Sequence, residues 1–294
     1  MGDHHVHLHP HGPYSGHGPA PGEYPPGHLD AYVEVALGRG ADEVGFTEHL
    51  YRCHESAEAL GAFWNREPRR DLAEQTERFV RADRTLSLER YVEVVLDARD
   101  RGLPVKLGLE VDFFPWSIDA VLELLAPYPF DFLIGAVHWV GGWSIDHGDA
   151  QHEFERRGID EAYADYFAWK TELAASGAVD VLAHADVVKK YGHRPVTPPL
   201  ELYRTLATAA AASDMAVEVS TAGLYKPAAE MYPAPELLAE MHAAGVPITL
   251  ASDAHVPDEC ARDRDRAMTY AKAAGYTQRA RYTRRVRELV PLDG

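Results

Sequence analysis

Short apolar runs alternate with longer amphipathic segments along the whole chain. The short runs have the length and composition of buried strands and predict Asp3–His7, Glu43–Thr47, Val105–Val111, Phe132–Val137, Val179–Ala183, Ala216–Ser220 and Pro247–Ser252. The segments between and after them repeat apolar residues at helical spacing and predict Leu29–Leu37, Leu86–Arg101, Ile118–Leu125, Asp160–Ala175, Leu200–Ala212, Pro235–Ala243 and Arg264–Ala274. Such alternation is typical of parallel strands joined by helical crossovers, in a barrel or a doubly wound sheet. No Gly-x-Gly-x-x-Gly follows the first strand, which argues against a dinucleotide-binding open sheet.

Three segments do not fit this alternation. Residues 11–27 are rich in Gly, Pro and His and predict a loop after the first strand. Residues 55–84 are polar and charged, and we expect them to pass over the mouth of a barrel, with helix in their second half. Residues 276–290 contain five arginines and predict a solvated final strand or helix. None of the three is typical of a domain linker, so we expect one domain over residues 1–294.

Polar side chains that bind metals lie at the ends of the predicted strands. His5 and His7 alternate on the first strand, so their side chains share one face. The other candidates lie at or just after the later strands or in the first loop: His17, His49, Glu110, His138, His184, Asp253 and His255. The carboxyl ends of parallel barrel strands share one rim, where active sites are found, so nine potential ligands are predicted to meet there.

This ligand set predicts a metal centre with more than one ion. Imidazole nitrogens and carboxylate oxygens are suitable for zinc, manganese or iron, and no cysteine joins them. One ion needs about four ligands, so nine predict two or three ions that share bridging groups. Glu110 and Asp253 are the expected bridges because each has two oxygens. Such ions would allow a bridging hydroxide near neutral pH to attack an electrophile.

The remaining histidines are expected to have no part in this centre. His4 is predicted to point away from it, and His9 and His11 to face solvent in the loop. His54, His147, His152 and His242 are expected to be structural, and His28 is expected to lie at the start of a helix.

The overall composition narrows the class of protein. Acidic residues outnumber basic ones 46 to 29, and the formal net charge of -17 argues against nucleic acid as a partner. Two cysteines are too few for a disulfide scaffold. No apolar segment approaches the roughly 20 residues of a membrane span or forms a signal core. These features predict a cytoplasmic protein that does not bind membranes, and they leave homo-oligomerisation open.

The nine candidate ligands resemble those of the PHP superfamily (polymerase and histidinol phosphatase), and the resemblance covers nearly the whole chain. It extends to the segments Gly108–Phe113, Gly135–His138, Lys189–Arg194 and Thr221–Leu224, which resemble the stand-alone histidinol-phosphatase branch. The family implies a distorted seven-stranded (β/α) barrel, similar to a TIM barrel, with the active site at the carboxyl ends of the strands. It also implies a trinuclear centre. One departure is Glu48, where relatives often have Asp, but this position is not a ligand.

The resemblance assigns each candidate ligand to an ion. The first ion takes His5, His7, Glu110 and Asp253, and the second takes Glu110, His138 and His184. The third takes His17, His49 and His255.

The expected reaction is hydrolysis of L-histidinol phosphate, a small phosphorylated amino alcohol, in histidine biosynthesis. The substrate is implied by the resemblance, whereas hydrolytic chemistry also follows from the ligands. Arg194 is the expected phosphate-binding and catalytic cation, since guanidinium binds phosphate through two hydrogen bonds, with Lys189, Lys190 and Lys226 as alternatives. Asp253 is the candidate proton donor to the leaving group, through a water.

Several points stay open at this level. Asp112, Phe113 or Trp139 could contact the amine and imidazole of the substrate. The rival functions are an exonuclease or other phosphodiesterase, a phosphatase for another small monoester, and a metal-binding protein without activity. The arginine-rich tail is the only support for the exonuclease.

Overall fold

The computed structural model describes residues 2–292, without the side chain of Pro13. Its strands are β1 (Asp3–Val6), β2 (Val44–Phe46), β3 (Val105–Leu107), β4 (Glu110–Asp112), β5 (Ile134–Ala136), β6 (Trp139–Val140), β7 (Trp143–Ser144), β8 (Val181–Leu182), β9 (Ala216–Ser220), β10 (Ile248–Ala251), β11 (Gln278–Thr283) and β12 (Val286–Pro291). Its helices are α1 (His28–Gly38), α2 (Ser56–Leu60), α3 (Arg70–Asp83), α4 (Leu88–Asp100), α5 (Ile118–Leu125), α6 (His152–Arg157), α7 (Ile159–Ser176), α8 (Leu200–Ala212), α9 (Pro235–Ala243) and α10 (Arg264–Ala273). The predicted α/β class is confirmed.

Two parallel sheets form the centre of the molecule. One has the order β1-β2-β3, and the other has the order β10-β9-β8-β5-β4. Isolated bridges join them at both seams, from Val6 to Ala254 and from His49 to Glu110. The His7 N–H donates to the Ala254 carbonyl at 2.8 Å across the first seam. The carboxyl ends of both sheets therefore lie on the same side of the molecule.

Each of the seven predicted strands has a counterpart, but the third is divided. The chain leaves the first sheet after β3 and enters the second at β4, with Gly108 at the crossing point. A Cβ atom at Gly108 would lie 2.7 Å from the ring of Phe132, so a larger residue would not fit there. This close approach explains why one apolar run serves two sheets.

The segment 55–84 contains helices α2 and α3, which confirms the helix predicted in its second half. Leu72, Thr76 and Val80 form the buried face of α3, although half of its residues are charged. No helix within residues 2–292 is long and apolar enough to cross a membrane.

The arginine-rich tail forms an antiparallel hairpin of β11 and β12. Ala280 and Tyr282 are buried in a core cluster with Phe132 and residues of the second sheet. A strand was one of the two predicted forms, but the prediction of a solvated tail was wrong, because one face of β11 is part of the core.

Ion pairs hold this hairpin against the amino ends of the strands. Arg281 pairs with Glu43 at 2.6 Å, and the other pairs join arginines of the hairpin to acidic residues that precede β2, β8 and β9. These further pairs are Arg279–Asp42, Arg285–Asp180 and Arg287–Asp214. The arginines thus neutralise acidic groups at the end of the sheets opposite the candidate ligands.

Truncation of Tyr282 to alanine should lower the free energy of unfolding by about 3–5 kcal/mol, the usual cost of removing a buried aromatic side chain. Tyr282 is 3% exposed, and its ring lies 6.2 Å from that of Phe132. Denaturant unfolding would measure the change. Val286→Ala is the control, since Val286 is 70% exposed on the same hairpin. Equal effects of the two substitutions would show that the hairpin is not part of the core.

Candidate metal centre

The strand ends bring most of the predicted ligands together. His5 is on β1, Glu110 begins β4, and the others follow β1, β2, β5, β8 and β10 by one to four residues: His7, His49, His138, His184, Asp253 and His255. The backbone turns sharply at two of these positions, with φ of 24° at His184 and 53° at Asp253. Such left-handed conformations are costly for residues other than glycine and are often found at functional sites.

Glu110 lies at the centre of the group and is fully buried. One of its oxygens is 3.0 Å from His184 Nε2 and 3.6 Å from His138 Nε2. The other is 2.6 Å from His49 Nδ1 and 3.7 Å from His7 Nε2. Both oxygens therefore face imidazole nitrogens, as expected for a carboxylate that bridges two ions.

Asp253 closes the group from the last parallel strand. Its Oδ1 atom lies 3.5 Å from His5 Nε2 and 3.4 Å from His7 Nε2, and these two nitrogens are 3.0 Å apart. Residues from the first and the last parallel strands therefore contribute to one cluster.

The donor atoms fit divalent metal ions. Within the described residues, four sets of three donors have ligand atoms within 4.8 Å of one another: His7, His49 and His255; His5, His7 and Glu110; His5, His184 and Asp253; His49, Glu110 and His138. A neutral imidazole has only one N–H, so a group of several facing ring nitrogens leaves some lone pairs without a donor. A shared cation would satisfy these lone pairs, and nitrogen with carboxylate oxygen suits zinc, manganese or iron.

The protonation states of Glu110 and His49 agree with metal binding. Burial would raise the pKa of Glu110, but the surrounding histidines outweigh it and hold that pKa well below its usual range. Burial and the neighbouring His7 lower the pKa of His49 to about 3. Carboxylates that are ionised and imidazoles that are neutral are the forms that bind metals.

His11 lies in this cluster, which corrects its predicted position in solvent. Its Nε2 atom is 3.1 Å from His49 Nε2 and 3.3 Å from His255 Nε2. His17, the predicted ligand from the same loop, is exposed instead. Neither loop histidine belongs to the four donor sets, so it is the contacts with His49 and His255 that distinguish His11. His11 follows Pro10 at the start of the loop, where the chain still lies beside β1, whereas His17 is six residues further along.

Neighbouring carboxylates orient the rings of several candidate ligands. Glu218 accepts from His5 Nδ1 at 2.8 Å and from the His184 N–H at 2.6 Å. Asp112 lies 2.7 Å from His138 Nδ1, and Asp83 of α3 lies 3.2 Å from His11 Nδ1. Such partners fix the ring orientation and increase the basicity of a ligand.

Glu218 is not among the residues predicted from the sequence, although one signal for it is present. It is the only charged residue within the apolar strand β9, Ala216–Ser220. A carboxylate in a buried strand needs a partner, so its position could have indicated the metal centre.

Glu48, the departure from the family pattern, supports the first loop. Its Oε1 atom accepts from the Leu8 N–H at 2.6 Å and the His9 N–H at 2.8 Å. Arg52 lies 3.7 Å from its second oxygen. His9 is likewise buried rather than exposed, which corrects the prediction, and its ring nitrogen contacts the Glu23 carbonyl at 3.0 Å.

A cavity of about 450 Å³ opens beside the cluster. His49, His138, His184, Asp253 and His255 line it on the side of the candidate ligands. Further lining residues include two cations, one carboxylate and a set of aromatic rings: Lys190, Lys226, Asp146, Tyr14, Tyr51, Phe79, Trp139 and His147. His147, expected to be structural, is therefore a lining residue.

The predicted phosphate-binding residues do not all reach the cavity. Arg194 is 41% exposed, does not line the cavity, and donates to the Ala228 carbonyl at 2.8 Å. Lys189 is buried in ion pairs with Asp186 and Glu230. Lys226 does line the cavity, and so does Lys190. Two of the predicted phosphate-binding residues, Arg194 and Lys189, therefore lie outside the cavity, whereas the two alternatives, Lys190 and Lys226, line it.

Of the three residues considered as contacts for the amine and imidazole of the expected substrate, only one lines the cavity. Asp112 and Phe113 are buried and do not line the cavity, whereas Trp139 does.

The sequence matches the PHP domain over residues 7–222, most of the chain and most of the cluster. The chain belongs to the PHP family. This confirms the resemblance inferred from the ligand pattern. PHP-family relatives include a Deinococcus radiodurans protein named "Probable histidinol-phosphatase", which is 32% identical over 228 residues, or 78% of this chain and 80% of that one.

Two comparisons concern Lactococcus lactis. Its histidinol-phosphatase is 24% identical over 264 residues, or 86% of this chain and 87% of that one. The crystal structure of the Lactococcus lactis histidinol phosphate phosphatase in complex with zinc, L-histidinol and phosphate has a TM-score of 0.72 and 21% identity, and the match covers 98% of both chains. The structural agreement shows that this PHP-family chain has the same α/β fold.

The two loop histidines allow a matched test. His11→Ala should lower the content of bound zinc, because His11 lies among the donor atoms, and His17→Ala should leave it unchanged. Metal analysis of the purified proteins, after loading with zinc and gel filtration, would measure the difference. Loss of metal in the His17 variant alone would restore the ligand set predicted from the sequence.

Proposed function

We propose that this protein is a metal-dependent phosphatase that hydrolyses L-histidinol phosphate to L-histidinol and phosphate. The observation that carries the proposal is the buried Glu110 carboxylate, surrounded by imidazoles, at the edge of a cavity that also contains two lysines. Membership of the PHP family and the named relatives support the choice of substrate.

The ligands would divide among three ions. His5, His7, Glu110 and Asp253 would hold the first, and Glu110, His138 and His184 the second. His11, His49 and His255 would hold the third, with His11 in place of His17. When bound, divalent ions supply Lewis acidity, which lowers the pKa of water and polarises a phosphoryl oxygen.

The chain itself would bind the phosphoryl group through Lys190 and Lys226. Lys190 Nζ is held at 2.9 Å from Asp146, and Lys226 Nζ lies 3.4 Å from the Tyr14 hydroxyl. Burial and the charge of Lys190 lower the pKa of Lys226. An anion between the two ammonium groups would offset both effects, so it would stabilise them in the charged form.

The protonation of Asp253 bears on its candidate role as proton donor to the leaving group. Burial would raise the pKa of Asp253, but His5, His7 and His255 hold it well below its usual range. An ionised Asp253 suits a metal ligand, and this argues against it as a direct donor.

The same proposal includes the finer architecture. If β3 and β4 are counted as one strand, the seven parallel strands would form a distorted barrel, with residues 1–294 as one domain. The bridges at both seams support this arrangement. The cytoplasmic location stays a prediction from the sequence.

The exonuclease alternative loses its main support. Four of the five tail arginines, Arg279, Arg281, Arg285 and Arg287, pair with acidic residues at the far end of the sheets. They do not line the cavity beside the candidate ligands.

The direct test is phosphate release from L-histidinol phosphate by the enzyme loaded with zinc or manganese. We expect turnover that is removed in the His5→Ala/His7→Ala double variant, because both side chains are candidate ligands. Single-stranded oligonucleotide and other small phosphomonoesters would be assayed in parallel. Absence of histidinol phosphate turnover above the double variant, with metal bound, would refute the proposed substrate.

Lys226 and Arg194 provide a second matched pair. Lys226→Ala should raise KM for the substrate about 10-fold or more, since hydrogen bonds to charged groups contribute about 1.5–3 kcal/mol. Arg194→Ala should change KM by less than about 2-fold, because surface ion pairs contribute little. Steady-state kinetics at equal metal content would measure both. A larger effect at Arg194 would contradict the placement of the two cations.

A further inference from the structure

An aromatic wall forms part of the cavity. It consists of Tyr51, Phe79, Trp139 and His147, all of which line the cavity. The ring centroids of Tyr51 and Trp139 are 5.1 Å apart, and those of Phe79 and Trp139 are 6.3 Å apart. Phe79 belongs to α3, so the charged segment 55–84 supplies part of this wall. Aromatic side chains pack favourably against a planar ring in a ligand, either stacked or edge to face.

Trp139 provides this wall with an unused donor. Its side chain is almost completely buried, and its Nε1–H has no hydrogen-bond partner among the described residues. Trp143, on the strand β7 that pairs with the strand of Trp139, β6, is equally buried, but its Nε1–H donates to the Ala150 carbonyl at 3.2 Å. Buried indole N–H groups usually have a partner, so the donor of Trp139 indicates a ligand with an acceptor atom.

Trp139 lies next to the candidate metal centre. It directly follows the candidate ligand His138, and the two ring centroids are 5.9 Å apart. A substrate whose phosphate lies at the ions would therefore extend its other end along the wall. Indole N–H is a donor only, so it selects an acceptor and not an ammonium group.

We propose that the aromatic wall binds the heteroaromatic ring of the substrate's alcohol portion, and that the Trp139 indole N–H donates a hydrogen bond to its unprotonated ring nitrogen. This rests on the proposed function, in which the alcohol carries an imidazole. Trp139 is then a residue that determines specificity, because an analogue without the ring nitrogen leaves the buried donor unpaired.

The test compares two substrates and two variants. L-Histidinol phosphate has the ring nitrogen, and the phosphate monoester of L-phenylalaninol has a phenyl ring in its place. Trp139→Phe should lower kcat/KM for the imidazole substrate about 10-fold and change that for the phenyl substrate less than about 2-fold. Trp143→Phe removes a comparable indole outside the cavity and should leave the ratio of the two values unchanged. Zinc content and melting temperature would be measured for each protein.

If Trp139→Phe leaves the ratio of the two kcat/KM values unchanged, because both fall equally or neither falls, the proposal is overturned. If the wild-type enzyme does not hydrolyse L-histidinol phosphate, the proposed function fails, and a binding measurement still decides the role of Trp139. The chain has five tryptophans, whose indole ¹H–¹⁵N resonances can be assigned by Trp→Phe substitutions. L-Histidinol added to the zinc-loaded protein should shift the Trp139 resonance, and L-phenylalaninol should shift it much less. No shift with L-histidinol, or equal shifts with both, would also overturn it.

Discussion

The Glu110 carboxylate is buried at the seam where the two parallel sheets meet, and its charge must be balanced there. An isolated carboxylate in the interior would be strongly unfavourable, so the groups around it are constrained in both type and position. His7, His49, His138 and His184 approach its two oxygens from four different strand ends. The seam can therefore exist only if the strands that carry these rings are correctly packed.

Acidic groups are compensated by different partners at the two ends of the sheets. At the amino ends, acidic residues such as Glu43 and Asp180 pair with arginines of the hairpin, whose charge is permanent. At the carboxyl ends, Glu110 and Asp253 face imidazoles, which can be neutral and can share external cations. A permanent positive charge stabilises the fold, whereas neutral ligands leave room for divalent ions. The amino ends of the strands are therefore suited to stabilising the fold, and the carboxyl ends are suited to binding metal ions.

The cavity combines the surfaces that a phosphorylated amino alcohol would require. The candidate ligands and two lysines line the part suited to a phosphate, and aromatic rings line the part suited to a planar group. The segment 55–84 contributes to both, since Asp83 contacts His11 and Phe79 belongs to the wall. The segment 55–84, which in the sequence is distinguished only by its polar and charged residues, is thus part of the site.

The sequence by itself determined the α/β class, the strand positions and most of the donor set. Local periodicity and the placement of polar residues at strand ends are sufficient for these features. Only the tertiary structure placed His11 rather than His17 beside His49 and His255, and Lys190 and Lys226 rather than Arg194 at the cavity. Those choices depend on the path of loops, and loop paths are set by distant contacts such as Glu48 with Leu8 and Arg194 with Ala228. Glu218 and the unpaired N–H of Trp139 likewise became meaningful only when segments far apart in the chain were packed together.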